Sequence, residues 1–142
     1  MGTNNPNLPN NVLSDEEAIV YLASMVSALK NQTYNALTGS PTLTAAQVVG
    51  GVVEISGGTT ATATLPAAAA IITQMQTLDA NAGVGSTAQF TLINANSGAL
   101  TVTPGANTTM VGTGVGSIAA GIARTYQIKI LTATTVSFTI IR

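Results

Sequence analysis

The clearest alternation of apolar and polar positions lies near the end of the chain. Tyr126, Ile128 and Ile130 alternate with Thr125, Gln127 and Lys129, and Val136, Phe138 and Ile140 alternate with Ser137 and Thr139. A period of two with one apolar face marks a half-buried antiparallel strand. The two runs, joined by a turn over Thr132 to Thr135, therefore predict a hairpin. Shorter runs upstream share the pattern. Gln89 to Ile93 and Ala99 to Thr103 flank a turn at Asn94 to Gly98. Val52 to Ile55 and Thr60 to Thr64 flank Gly57-Gly58, a pair suited to the positive φ of a tight hairpin. Met110-Val111 and Ser117-Ile118 sit on either side of Gly112-Thr113-Gly114-Val115-Gly116. Short strands at this spacing predict a mainly β fold, an antiparallel sandwich or barrel.

Two helical segments break this pattern. Ser14 and Glu17 fit an S-x-x-E capping box, Asp15, Glu16 and Glu17 suit the positive end of a helix dipole, and Lys30 suits the negative end. Ile19, Leu22, Val26 and Leu29 recur at spacings of three and four, while Val20, Tyr21, Ala23 and Met25 make the other faces apolar too. A helix apolar on most sides is covered on most sides. Its cover is either its own domain or a subunit interface such as a coiled-coil seam. A second, short helix is predicted to start at Pro66, which suits the first helical position. Ile71, Met75 and Leu78 would form its inner face, and Asn81 to Gly85 would close it.

Met1 to Leu13 holds Pro6, Pro9 and five asparagines with almost no apolar content, the pattern of an extended arm. Such an arm is either a free terminus or a segment that orders on a partner. Asn31 to Ala46 reads as a connector with Thr38-Gly39-Ser40-Pro41 as its turn. The expected organisation is an extended N-terminal arm over residues 1–13, a helix and connector over 14–46, and a β-sandwich domain over 47–142.

Composition narrows the chemistry. The 142 residues include no cysteine and no histidine, which removes disulfides, thiol nucleophiles and the side chain that titrates near neutrality. With Asp15, Glu16 and Glu17 assigned to a helix start, only Glu54 and Asp79 remain as a carboxylate pair for acid–base work. They fall on a strand and a helix end and read as surface carboxylates. No catalytic, cofactor-binding or metal-binding residue is assigned, and the chain is expected not to be an enzyme. The glycine-rich run carries Ser117 where a dinucleotide loop needs glycine and has no Gly-Lys-Ser/Thr, so it reads as a flexible β-loop. Ligand supply speaks against zinc, and no calcium loop is present.

Charged residues make up 6% of the chain, against about 25% in an average soluble domain, and the net charge is −1. Lys30, Arg124, Lys129 and Arg142 are scattered, so no nucleic-acid partner is expected. The apolar stretch Ala18 to Leu29 falls short of the ~20 residues a membrane span needs, and MGTNNP lacks the basic start of a signal peptide. No membrane partner is expected. A surface so poor in charge resists self-association weakly, which fits either a sturdy Thr-rich β-protein or a subunit whose surface is occupied by contacts.

A resemblance adds to this picture. The run Leu65-Pro66-Ala67-Ala68-Ala69-Ala70-Ile71-Ile72, then Val84-Gly85-Ser86 and Phe90-Thr91-Leu92-Ile93-Asn94, is similar to a module recurrent in phage virion proteins. The similarity continues through Gly98-Ala99-Leu100-Thr101-Val102, Met110-Val111-Gly112-Thr113-Gly114, Ile118-Ala119 and Arg124-Thr125-Tyr126, and closes with Thr132-Ala133-Thr134-Thr135-Val136-Ser137-Phe138. It spans residues 52 to 142 and leaves out the arm and first helix. The chain thus resembles the capsid decoration (cement) and head-fibre proteins of tailed bacteriophages. That resemblance implies an antiparallel β-sandwich or jelly-roll-like domain in a homotrimeric structural protein on the outer surface of the head, with the major capsid protein as partner. A tail-fibre or head-fibre segment for host-surface recognition is the alternative it leaves.

Overall fold

The computed structural model describes Glu16, Ala18–Val20 and residues 32–141. The chain divides into two compact units, Met1–Gln32 and Thr33–Arg142. Glu16 and Ala18–Val20 are helical, within the predicted first helix. The arm at Met1 to Leu13, the Ser14–Glu17 capping box and the stripe residues Leu22, Val26 and Leu29 lie outside the described residues.

From Thr33 onward the chain first winds as a short coil with two walls. Strand β1 (Tyr34–Thr38) turns at Gly39 and crosses to Thr42 on the opposite wall. A four-residue helix, α1 (Ala45–Val48), brings the chain back to β2 (Val52–Ser56). From β2 the chain crosses at residues 57–60 to β3 (Ala61–Thr64). Helix α2 (Ala68–Leu78) returns it to β4 (Thr87–Asn94), and residues 95–99 cross again to β5 (Leu100–Thr103). Every return runs in the same direction, so the strands stack in parallel. Tyr34 lies opposite Val52, Val53 opposite Leu92, and Thr64 opposite Thr103, with Thr42 bridged to Thr64. Thr42, Thr64 and Thr103 thus form a ladder through three turns of the coil, closed by a 3.2 Å hydrogen bond from Thr103 Oγ1 to Thr64 Oγ1.

The remaining strands finish both walls. β6 (Thr108–Val111), β7 (Ser117–Ile118), β8 (Ala123–Ile130) and β9 (Val136–Ile140) complete a six-stranded sheet, β1-β2-β4-β8-β9-β6, and a three-stranded sheet, β3-β5-β7. The protein is mainly β and sandwich-like, as its sequence predicts. Pairing differs from the antiparallel arrangement expected. Only β4 with β8, β5 with β7 and β8 with β9 are antiparallel; the other four pairs are parallel. The reason is connectivity. The runs around Gly57-Gly58 and around Asn94 to Gly98 turn corners between sheets rather than folding back as hairpins, so each wall receives its strands in one direction. Of the expected hairpins only β8–β9 forms. The stretch read as a connector contains β1 and the first two residues of α1.

Helix α2 begins after Pro66 with Ala67 as its N-cap and ends at Leu78, and its buried residues are Ala68, Ile71, Ile72 and Met75. Leu78, expected inside, is 66% exposed in the last turn, and Ile72 takes its place. Between the walls lie the inward residues of each strand: Val53, Ile55, Phe90, Leu92, Tyr126, Ile128, Ile130, Val136 and Phe138 from the larger sheet, and Ala61, Ala63, Leu100, Val102 and Ile118 from the smaller. Both phenylalanines join Tyr126 in one cluster. Phe90 stacks on Tyr126 at a centroid distance of 5.2 Å and meets Phe138 edge-on at 6.0 Å.

The corners are closed by two buried asparagines. Asn94, on β4, is 0% exposed and Asn96 is 5% exposed. Asn94 Nδ2 donates to the carbonyls of Gly98 and Ile118, at 2.8 and 2.9 Å, and its Oδ1 accepts from both nitrogens of Asn96. Asn96 in turn donates to the Ile55 carbonyl and accepts from the Gly58 N–H at 2.9 Å. Ile118 belongs to the smaller sheet, so the Asn94 side chain ties one wall to the other. Gly98 sits so close to the Thr59 carbonyl that no Cβ fits there without moving the backbone.

Two stability outcomes follow. Asn94→Ala strands several buried backbone and amide groups, each worth roughly 1–3 kcal/mol; urea unfolding is expected to show a loss of about 3 kcal/mol. Phe90→Ala leaves a cavity between two aromatic partners and should lower stability by about 3–5 kcal/mol in the same measurement.

Candidate functional site

The two carboxylates that survived sequence reasoning are not brought together. Glu54 sits mid-strand on the outer face of β2, where its Oε2 accepts a 2.6 Å hydrogen bond from the Tyr34 hydroxyl of β1. By accepting that bond, Glu54 holds the Tyr34 phenol above its ordinary pKa, with lesser contributions from burial and charge. Asp79 is the exposed C-cap of α2, and its Oδ1 accepts from the Asn81 N–H at 2.9 Å. Each acid thus has a local structural partner. Among the described residues no three of Asp, Glu, His and Cys cluster as a metal site.

The glycine-rich segment after β6 is not the free loop its composition suggests. Gly112 and Gly114 adopt positive φ. Val115 turns inward to 3% exposure, and its carbonyl accepts a 2.8 Å hydrogen bond from the buried Tyr126 hydroxyl. The loop is pinned to the core at its centre. Arg124, on the same side of β8 as Tyr126, is partly buried beside it, and its Nε has no hydrogen-bond partner.

The fold presents a broad outer face on the six-stranded sheet. Alternation along each strand aims one set of side chains at the core and the other outward, and the register aligns the outward set in rows. One row runs Tyr34, Val52, Thr91, Thr125; a second runs Gln89, Gln127, Thr139, Val111; a third runs Thr87, Lys129, Ser137, Thr109. Between neighbouring strands Thr91 and Thr125 share a 3.0 Å hydrogen bond through their hydroxyls. Glu54 and Lys129 are the only charged side chains directed outward from these strands among the described residues. Sequence alternation showed which residues of β8 and β9 face out. It did not show that β1 and β2 extend the same face, because the parallel return through α1 leaves no hairpin signal.

No family model, curated protein or solved structure is matched by this chain. No helix among the described residues is long and apolar enough to cross a membrane.

Burial of Tyr126 has a measurable consequence. It pushes the phenol up to about 12, from an ordinary 10.0, with the neighbouring Arg124 charge opposing part of the rise. Between those two values the unfolded chain has released a proton that the folded chain still holds, so the contribution of Tyr126 to stability is full below about pH 10 and is lost as pH climbs toward 12. Tyr126→Phe loses the Val115 hydrogen bond, a deficit of about 1 kcal/mol at neutral pH. Urea midpoints measured across this window should fall less steeply for the variant than for the wild-type chain.

Proposed function

We propose that this chain is a structural virion protein, a cement or decoration subunit that binds the outer surface of the major capsid lattice and stabilises the head. The observation that carries the reading is the six-stranded outer face, lined by Thr and Gln together with Tyr34, Val52 and Val111 and carrying, among the described residues, only Glu54 and Lys129 as charges. A neutral hydroxyl or amide loses far less on leaving water than a charge does. Such a face can be covered by a neighbour at low desolvation cost, while its many donors and acceptors set the register of contact. The sequence resemblance over residues 52 to 142 favours the same role. In this reading the chain acts as a homotrimer, so that several modest contacts add through effective concentration. Its activity is adhesion, without catalysis, metal or cofactor.

The reading is tested on purified particles. The protein should separate with heads, in copy number comparable to the capsid lattice, and heads lacking it should release their genome at lower temperature than complete heads. Separation with tails in a few copies per particle would instead identify a fibre segment for host recognition. Residues 1–13 are proposed to contact the capsid, and their deletion should lower occupancy on heads in a sedimentation binding assay. Unchanged occupancy would remove the arm from the contact.

A further inference from the structure

The larger sheet ends at β1, and that edge leaves backbone groups without a strand partner among the described residues. Val52 N–H donates to the Thr33 carbonyl and Gly39 N–H to the Ser56 carbonyl, at 2.9 and 3.0 Å. Odd-numbered residues of this stretch therefore bond to β2. The alternation of a β-ladder then turns the N–H and C=O of Tyr34, Ala36 and Thr38 away from the sheet. Among the described residues no strand pairs with that side. A row of outward backbone groups is a template for one more strand, and sheets that avoid this use lysine, proline or a bulge at the edge. Tyr34–Thr38, read YNALT, has none of these.

We infer that β1 pairs edge to edge with β1 of a second copy of this chain, antiparallel and two-fold symmetric about Ala36. The strand is self-complementary in that register. Ala36 faces its own equivalent as a hydrogen-bonded pair, and Tyr34 faces Thr38, so every outward N–H and C=O of the three residues meets a partner. Outside the backbone, bulky Tyr34 lies beside small Thr38, and half-buried Asn35 beside half-buried Leu37, which continues the inner face across the junction. Charge does not oppose the approach: β1 carries none, and from Thr33 to Ile141 the acids Glu54 and Asp79 balance the bases Arg124 and Lys129. Five paired residues fall well short of the ~1,600 Å² of a standard interface. The contact is therefore weak between free chains and fills where copies are held close together. It is distinct from any three-fold association and does not depend on the capsid reading.

The absence of native cysteine allows the register to be read directly by single-cysteine trapping in the full chain. Facing residues of a hydrogen-bonded pair have Cα atoms about 5.5 Å apart, within disulfide range. Under mild oxidation Ala36→Cys should convert to a band at twice the chain mass, while Val111→Cys, on the opposite edge, should stay monomeric. Thr38→Cys alone should not link, but a mixture of Tyr34→Cys and Thr38→Cys should. All four positions are exposed, and circular dichroism checks that each variant folds. Linkage of Ala36→Cys no greater than that of Val111→Cys would overturn the inference and leave the edge to residues 1–32 or to another protein. Equal self-linkage of Thr38→Cys would overturn the register.

Discussion

The constraint on which this fold rests is the pairing of polar backbone groups where the chain turns its corners. A polypeptide that passes repeatedly from one sheet to the other carries backbone N–H and C=O groups past the end of the core, and each inward-facing group left unpaired there is costly. Asn94 and Asn96 answer that need. Their amides reach the carbonyls of Ile55, Gly98 and Ile118 and the N–H of Gly58, so two successive corners and the strand β7 share one network. An apolar residue at 94 could not bridge the two sheets. The corner is polar because its backbone is.

From that corner geometry the rest of the architecture follows. Because the chain changes wall at each corner, strands arrive in parallel, and identical positions of successive turns come to lie above one another. The Thr42–Thr64–Thr103 ladder is one result. The wide outer face is another, since β1 and β2 add to β4 without needing hairpin partners. The antiparallel additions of β7, β8 and β9 then add to the coil's Phe90 the aromatic bulk of Tyr126 and Phe138, and a hydroxyl that fixes the Val115 loop.

The sequence exposed some of this and hid the rest for physical reasons. Strict alternation in β8 and β9 made their hairpin legible, because one side of each strand faces the core and the other lies on the outer face of the sheet. The same alternation located β2, β3, β4 and β5 but could not say which of them pair, since a glycine-rich turn between two strands looks alike whether it closes a hairpin or rounds a corner. Asn94 and Asn96 read as ordinary turn residues; nothing in a single chain marks them as buried. Helix α1 did have a signal. Thr44 and Gln47 form a T-x-x-Q capping box, with Gln47 N–H donating to Thr44 Oγ1 and Gln47 Oε1 accepting from the Thr44 N–H. A helix of four residues is too short to show an apolar period, so the cap is its only trace. Of the candidate surface, the paucity of charge was visible from composition, but its concentration into one continuous face depended on parallel register.

In the proposed adhesive role, that face also bears on how a protein with so few ionisable groups can be specific. Long-range steering needs charge, and Glu54 and Lys129, on the outer side of β2 and β8 respectively, provide little of it. Discrimination must then arise at contact, where a partner either satisfies the rows of hydroxyls and amides or leaves them unpaired. Unpaired polar groups in a closed interface penalise a wrong partner more than correct pairing rewards the right one. Each single contact is consequently weak, tolerant of salt, and selective mainly through misfit. Such contacts are effective when they are repeated at fixed spacing, which is the property a regular lattice offers and a lone soluble ligand does not.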